Sequence, residues 1–95
     1  MELQIADIVI SLAGRDQGKY AYVIAVDGDY VLLADGKGRK LEHPKRKKIK
    51  HIAKVARIES RVADKLRTGD KVLNSELRKD LTAFGREQDS QNQGG

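Results

Sequence analysis

Apolar and polar positions alternate through the first third of the chain. Residues 5–12, Ile-Ala-Asp-Ile-Val-Ile-Ser-Leu, place Ile8, Ile10 and Leu12 on one face of an extended chain and Asp7, Val9 and Ser11 on the other, which is the period of a β-strand. Glycines at 14 and 18 bracket the loop that follows. Residues 19–26 alternate again, with Tyr20, Tyr22, Ile24 and Val26 on one face and Ala21, Val23 and Ala25 on the other. Asp27-Gly28 lies between this run and the next, a strong signal for a two-residue hairpin. Residues 29–34 read as a third strand, closed by the turn Asp35–Gly38. Residues 39–43 extend as an edge strand that Pro44 stops, and a further short strand is expected around Lys48–Ile52.

The period then changes to that of helices. Ser60 is placed to cap a helix in which Val62 and Leu66 share a face and which Gly69 ends. Asn74 is placed to cap a second helix. Leu77, Leu81 and Phe84 follow at i, i+4 and i+7, and Gly85 supplies the stop. A single stripe of this kind packs on its own domain. From Arg86 to Gly95 no apolar residue occurs, so residues 86–95 read as a disordered tail. The expected organisation is a mainly β domain over 1–58, a helical extension over 59–85 packed upon it, and that tail.

The length of 95 residues suits one small domain. Tyr20, Tyr22, Tyr30 and Phe84 are the only aromatics, so Val, Ile and Leu must fill most of the core. The absence of Cys excludes disulfides and thiol chemistry and suits a reducing cytoplasm. No apolar run is long enough to span a membrane, and Met1–Gln4 lacks the basic region of a signal peptide.

The net charge of +5 conceals a strong asymmetry. Between Lys37 and Arg57 ten basic residues face one acid, Glu42, for a net +9; the remainder has nine basic residues and thirteen acids, a net −4. Such a concentrated field attracts polyanions. A meander places alternate connections at the same end of the sheet. The loop 14–18 should therefore meet the turn 35–38, so that Arg15 and Lys19 join Lys37, Arg39 and Lys40 in one basic rim. Lys45, Arg46, Lys47, Lys48 and Lys50 continue the basic surface. A solvated charge run, or a localisation signal, is the plain alternative for residues 45–48.

Catalytic chemistry finds no constellation. Gly14–Lys19 lacks the Gly-Lys-Ser/Thr ending of a nucleotide-binding loop. His43 and His51, with only Glu42 nearby and no Cys, make no zinc set. Ser11, Ser60, Ser75 and Ser90 lack a nucleophile motif, while Asp64, Asp70 and Asp80 fit capping and ion-pair roles. No enzyme, metal or cofactor is expected. Tyr20, Tyr22 and Tyr30 are candidates for stacking on unpaired bases, with core packing as the competing use.

The run Asp7-Ile-Val-Ile-Ser-Leu-Ala-Gly-Arg-Asp-Gln-Gly-Lys19, followed by Val23, resembles the KOW motif, a strand, basic glycine loop and strand found in several large-subunit ribosomal proteins and transcription elongation factors. Gly18 matches its signature glycine, and Gly14, Arg15, Asp16 and Lys19 match its loop; Ala21 departs from the glycine many such motifs carry. The segments 27–36, 39–48, 49–52 and the helix Asn74–Leu81 extend the likeness over residues 5–85, to small bacterial KOW-domain RNA-binding proteins, themselves similar to archaeal and eukaryotic ribosomal proteins. The resemblance implies an SH3-like barrel and RNA binding; the partner expected is ribosomal or ribosome-associated RNA, with a role in translation and a monomeric state when free. A protein-interaction module built on the same barrel is the second reading.

Overall fold

The computed structural model describes residues 2–93, with side chains through residue 88. Five strands form one antiparallel sheet: β1 (Ile8–Ser11), β2 (Tyr20–Asp27), β3 (Tyr30–Ala34), β4 (Lys45–Lys48) and β5 (Ile52–Ala56), in the order β4-β3-β2-β1-β5. The edge strands β4 and β5 are joined only by the 3-10 turn Ile49–His51. A three-residue link cannot cross a flat five-stranded sheet at ~4.8 Å per strand, so the sheet curls until its edges meet. The architecture is mainly β and barrel-like. Two helices follow, α1 (Arg61–Thr68) and α2 (Asn74–Gln93).

Both faces of the curled sheet are buried. Val9, Ala21, Val23, Val31, Leu33 and Ile52 fill its interior. On the outer face Ile8, Tyr22 and Ala34 pack against Val62 and Ala63 of α1 and Leu77, Leu81 and Phe84 of α2. The i, i+4, i+7 stripe of the second helix thus packs on its own domain, as its spacing predicts. Ser60 caps α1 by accepting from the Ala63 amide at 3.0 Å, and Gly69 ends it in the left-handed region.

Six sequence-based expectations change. Residues 39–43 are not a strand. The Asp35 carboxylate accepts the amides of Lys37 and Arg39, both at 2.9 Å, and the Arg39 carbonyl accepts those of Asp35 and Gly36. This local bonding competes with a sheet ladder, and the chain becomes extended only after Pro44. The strand expected around Lys48–Ile52 is divided: 49–51 turn, and β5 runs on to Ala56.

Val26 does not share the face of Tyr20 and Tyr22. Val23 pairs with Leu33 and Ala25 with Leu32, leaving Ile24 as the extra residue of a bulge. One inserted residue reverses the parity beyond it, so Val26 lies opposite interior-facing Val31.

The second helix neither takes its cap from Asn74 nor stops at Gly85. Its first turn is closed from Leu73, whose carbonyl accepts the Leu77 amide and whose own amide is accepted by Glu76 Oε1 at 3.2 Å, half of a capping box. Gly85 lies inside the helix, where a β-carbon would come within 3.8 Å of the Tyr20 ring. That is an ordinary van der Waals distance, so Gly85 neither ends the helix nor is required by its neighbour. The backbone over 86–93, expected without structure, is helical; residues 94 and 95 lie outside the described residues.

Candidate nucleic-acid interface

The antiparallel connections meet at one end of the barrel as the meander requires. Arg39 Nε donates to Asp16 Oδ2 at 3.0 Å, linking the β3–β4 loop to the β1–β2 loop. Lys47 Nζ donates to the Ala13 carbonyl at 2.7 Å, drawing β4 onto the same loop. Lys19 Nζ lies 3.9 Å from Asp16 Oδ1. Gly18, at φ +83, turns the loop back into β2, and its amide donates to the Ser11 carbonyl.

These ties enclose a depression of about 530 Å³ whose wall includes Arg15, Arg39, Lys45, Arg46, Lys47 and Lys48, with Gly14 and His51 at its margin. Asp16 is the only acid among the residues that line it. Burial works against the Asp16 charge, but the hydrogen bond from Arg39 and the charges of Arg39, Lys19 and Lys47 prevail, so its carboxyl titrates below the usual 3.8. At neutral pH it is therefore ionised and committed to the two loops. Arg15, Lys45, Arg46 and Lys48 make no ion pair with the described residues.

The register of β4 divides its four cations between two faces. Lys45 and Lys47 oppose Leu33 and Val31, so they extend the interior face toward the rim. Arg46 and Lys48 oppose Leu32 and Tyr30 on the outer face. There the Arg46 guanidinium lies 3.7 Å from the centroid of the Tyr30 ring, within cation–π range.

The structure does not gather every residue of the expected set. Lys50 lies beside Asp29 and Tyr30 toward the hairpin end. Lys37 turns to a separate groove against α2, and Lys40 is exposed in the β3–β4 loop without lining the depression. Of the ten cations counted between Lys37 and Arg57, two are committed elsewhere: Arg57 Nε donates to Asp7 at 2.8 Å and Lys54 lies 3.6 Å from the same carboxylate. The local charge available to a ligand is lower than the sequence count.

The tyrosines also separate. Tyr22 is fully buried and its hydroxyl donates to Asp80 Oδ2, which also accepts from Ser60 Oγ at 3.1 Å. Burial and the hydrogen bond to Asp80 push the Tyr22 phenol well above its ordinary value. It has no face free for a base. Tyr20 packs edge-on against Phe84, with centroids 5.3 Å apart. Only Tyr30 remains half-exposed beside the basic depression. His51, a polar surface group by its sequence, reaches the depression through the turn between the edge strands.

No protein-family model and no curated protein matches the sequence. Among the described residues no three of His, Cys, Asp or Glu gather to hold a metal ion, and no helix is long and apolar enough to cross a membrane.

Proposed function

We propose that the protein is a KOW-type, non-enzymatic RNA-binding protein that grips structured RNA, ribosomal or ribosome-associated, through the depression between the β1–β2 loop and β4. The observation that carries this reading is the bracing of the rim. Asp16, Arg39, Lys47 and the Ala13 carbonyl hold two loops together, and the unpaired charges of Arg15, Lys45, Arg46 and Lys48 are displayed around them. Pre-positioned cations neutralise phosphates at low ordering cost and release their counterions. Arg46, over the Tyr30 ring, adds a planar cation on which an unpaired base can stack.

A lysine-rich edge strand also discourages pairing with another sheet. That accounts for β4 but not for Arg15 on a different loop or for the ties that bring it there. Binding to purified ribosomal RNA tests the proposal. If ~4–6 phosphates are neutralised, log affinity should fall with log salt at a slope of roughly −3 to −5. A flat response between low and moderate salt, or salt-insensitive retention of an acidic protein instead, would overturn it.

A further inference from the structure

A second basic groove lies on the other side of the rim, between the β1–β2 loop and α2. Lys19 and Lys37 line it from the sheet side and Arg78 from the helix, with Gly18 and Gly38 between them and Thr82 one turn beyond Arg78. The Lys37 and Arg78 side chains make no ion pair with the described residues. Asp35, the acid in the wall, uses one carboxylate oxygen to accept two backbone amides of its own turn.

Like charges on two separate elements would drift apart if the elements were loose, but these are fastened. Asn74 Oδ1 accepts the Leu41 amide at 2.8 Å, and Asn74 Nδ2 donates to Glu42 Oε1 at 2.7 Å. Gly36 sits so close to the first turn of α2 that a β-carbon would lie 2.2 Å from the Asn74 carbonyl oxygen and 3.0 Å from the Arg78 amide. The fold therefore holds Lys37 and Arg78 together against their repulsion, an arrangement that a bound anion relieves.

The groove and the depression flank one narrow cleft of about 10 Å³ beneath the rim. Lys19, Tyr20 and Asp35 border both the groove and this cleft, and Asp16, Arg39, Lys45 and Lys47 border both the cleft and the depression.

We infer that Lys19, Lys37 and Arg78 form a second phosphate-backbone site, so that one RNA strand runs from β4 across the rim onto α2. Arg78 grips a phosphate through its planar fork, and the two lysines act as point charges. This rests on the RNA reading of the depression and extends it to a helix outside the basic segment.

The test measures binding of purified ribosomal RNA across a salt series for the full chain and three variants. Lys37→Gln/Arg78→Gln removes two of the groove's three cations and leaves Lys19, which also borders the rim. Thr82→Glu leaves every cation in place and sets a carboxylate one turn from Arg78, at an exposed helix position that tolerates Glu. Arg15→Gln/Arg46→Gln addresses the depression alone. The groove variant should bind about tenfold more weakly near ~0.1 M salt, with a salt slope shallower by roughly 1.5–2. Thr82→Glu should weaken binding in the same direction. If the groove variant and Thr82→Glu both bind and titrate like the parent while Arg15→Gln/Arg46→Gln loses affinity, the second site is wrong and the depression stands. If the parent binds no RNA, both proposals fall. Circular dichroism of each variant excludes unfolding as the cause of a loss.

Discussion

Two glycines show how differently the same residue can matter. Gly18 and Gly36 both adopt positive φ, +83 and +79. A β-carbon at Gly18 would meet nothing within 4 Å, so Gly18→Ala carries only the left-handed strain, about 1–2 kcal/mol. At Gly36 the same methyl would strike helix backbone at 2.2 Å, which cannot rotate away. Gly36→Ala should therefore cost ~2–4 kcal/mol in urea unfolding, clearly more than Gly18→Ala. Equal costs would mean that the loop is not seated on α2 as described.

Asp7 contributes to acid stability at the same scale. It is only 1% exposed; burial opposes its charge, but hydrogen bonds from Arg57 and the Gln4 amide, with the charges of Lys54 and Arg57, hold its carboxyl below 3.8. A carboxyl depressed by folding stabilises the protein above its unfolded value, and that contribution is lost as pH falls through the folded value. Stability should thus be steady from neutral pH to about pH 4 and decline below it. Asp7→Asn should flatten that decline and cost roughly 1–3 kcal/mol at pH 7. The figure falls short of a fully buried pair because the side chains of Arg57 and Lys54 are 40% and 29% exposed and can rehydrate. An unchanged acid limb in pH-dependent melting of Asp7→Asn would show that another carboxylate controls it.

Among the elements, α2 carries its apolar residues in its first half. Among its described side chains the buried ones are Leu77, Leu81 and Phe84, and the sequence 86–93 contains no apolar residue. A stretch without apolar residues has little surface to gain from burying, and elongation of an existing helix is easy. Removing Arg86–Gly95 should lower the far-UV helical signal while the melting temperature moves by no more than about 3 °C. RNA affinity should stay near that of the parent. A large drop in melting temperature or affinity would show that Arg86–Gly95 has a docking role. Helix α1 is more sharply bounded, because Ser60 and Gly69 satisfy its two ends locally.

For the molecule as a whole, the question is whether cations from distant parts of the sequence act on one RNA. Arg39 is a poor probe, since removing it also unties Asp16 and the loop. Arg15 and Arg46 line the same depression without such a tie, so they suit a double-mutant cycle. Arg15→Gln and Arg46→Gln should each weaken RNA binding, and their effects should deviate from additivity by more than about 0.5 kcal/mol if both grip one ordered segment. Strict additivity would indicate two independent anchor points and would remove the support for a single rim.

Local order was legible in the residues themselves. Period-two alternation marks β1 to β3, Asp27-Gly28 marks the hairpin, Ser60 and Gly69 mark α1, and the Leu77, Leu81, Phe84 stripe marks the buried face of α2. Even the meeting of the two basic loops followed, because consecutive antiparallel strands leave little freedom in where their connections lie. All of these depend on neighbours in the chain or on one chiral repeat. What remained hidden depends on partners far away in sequence. Strand β4 is Lys-Arg-Lys-Lys with no alternation, and only its pairing with β3 makes it a strand. The bulge at Ile24 reverses a face that the pattern alone would assign otherwise. Gly85 reads as a helix stop, yet α2 runs through it to Gln93. The withdrawal of Lys54 and Arg57 to Asp7, and the placing of Arg78 beside Lys37, are decided by packing between elements, because a charge has no periodicity that announces its partner.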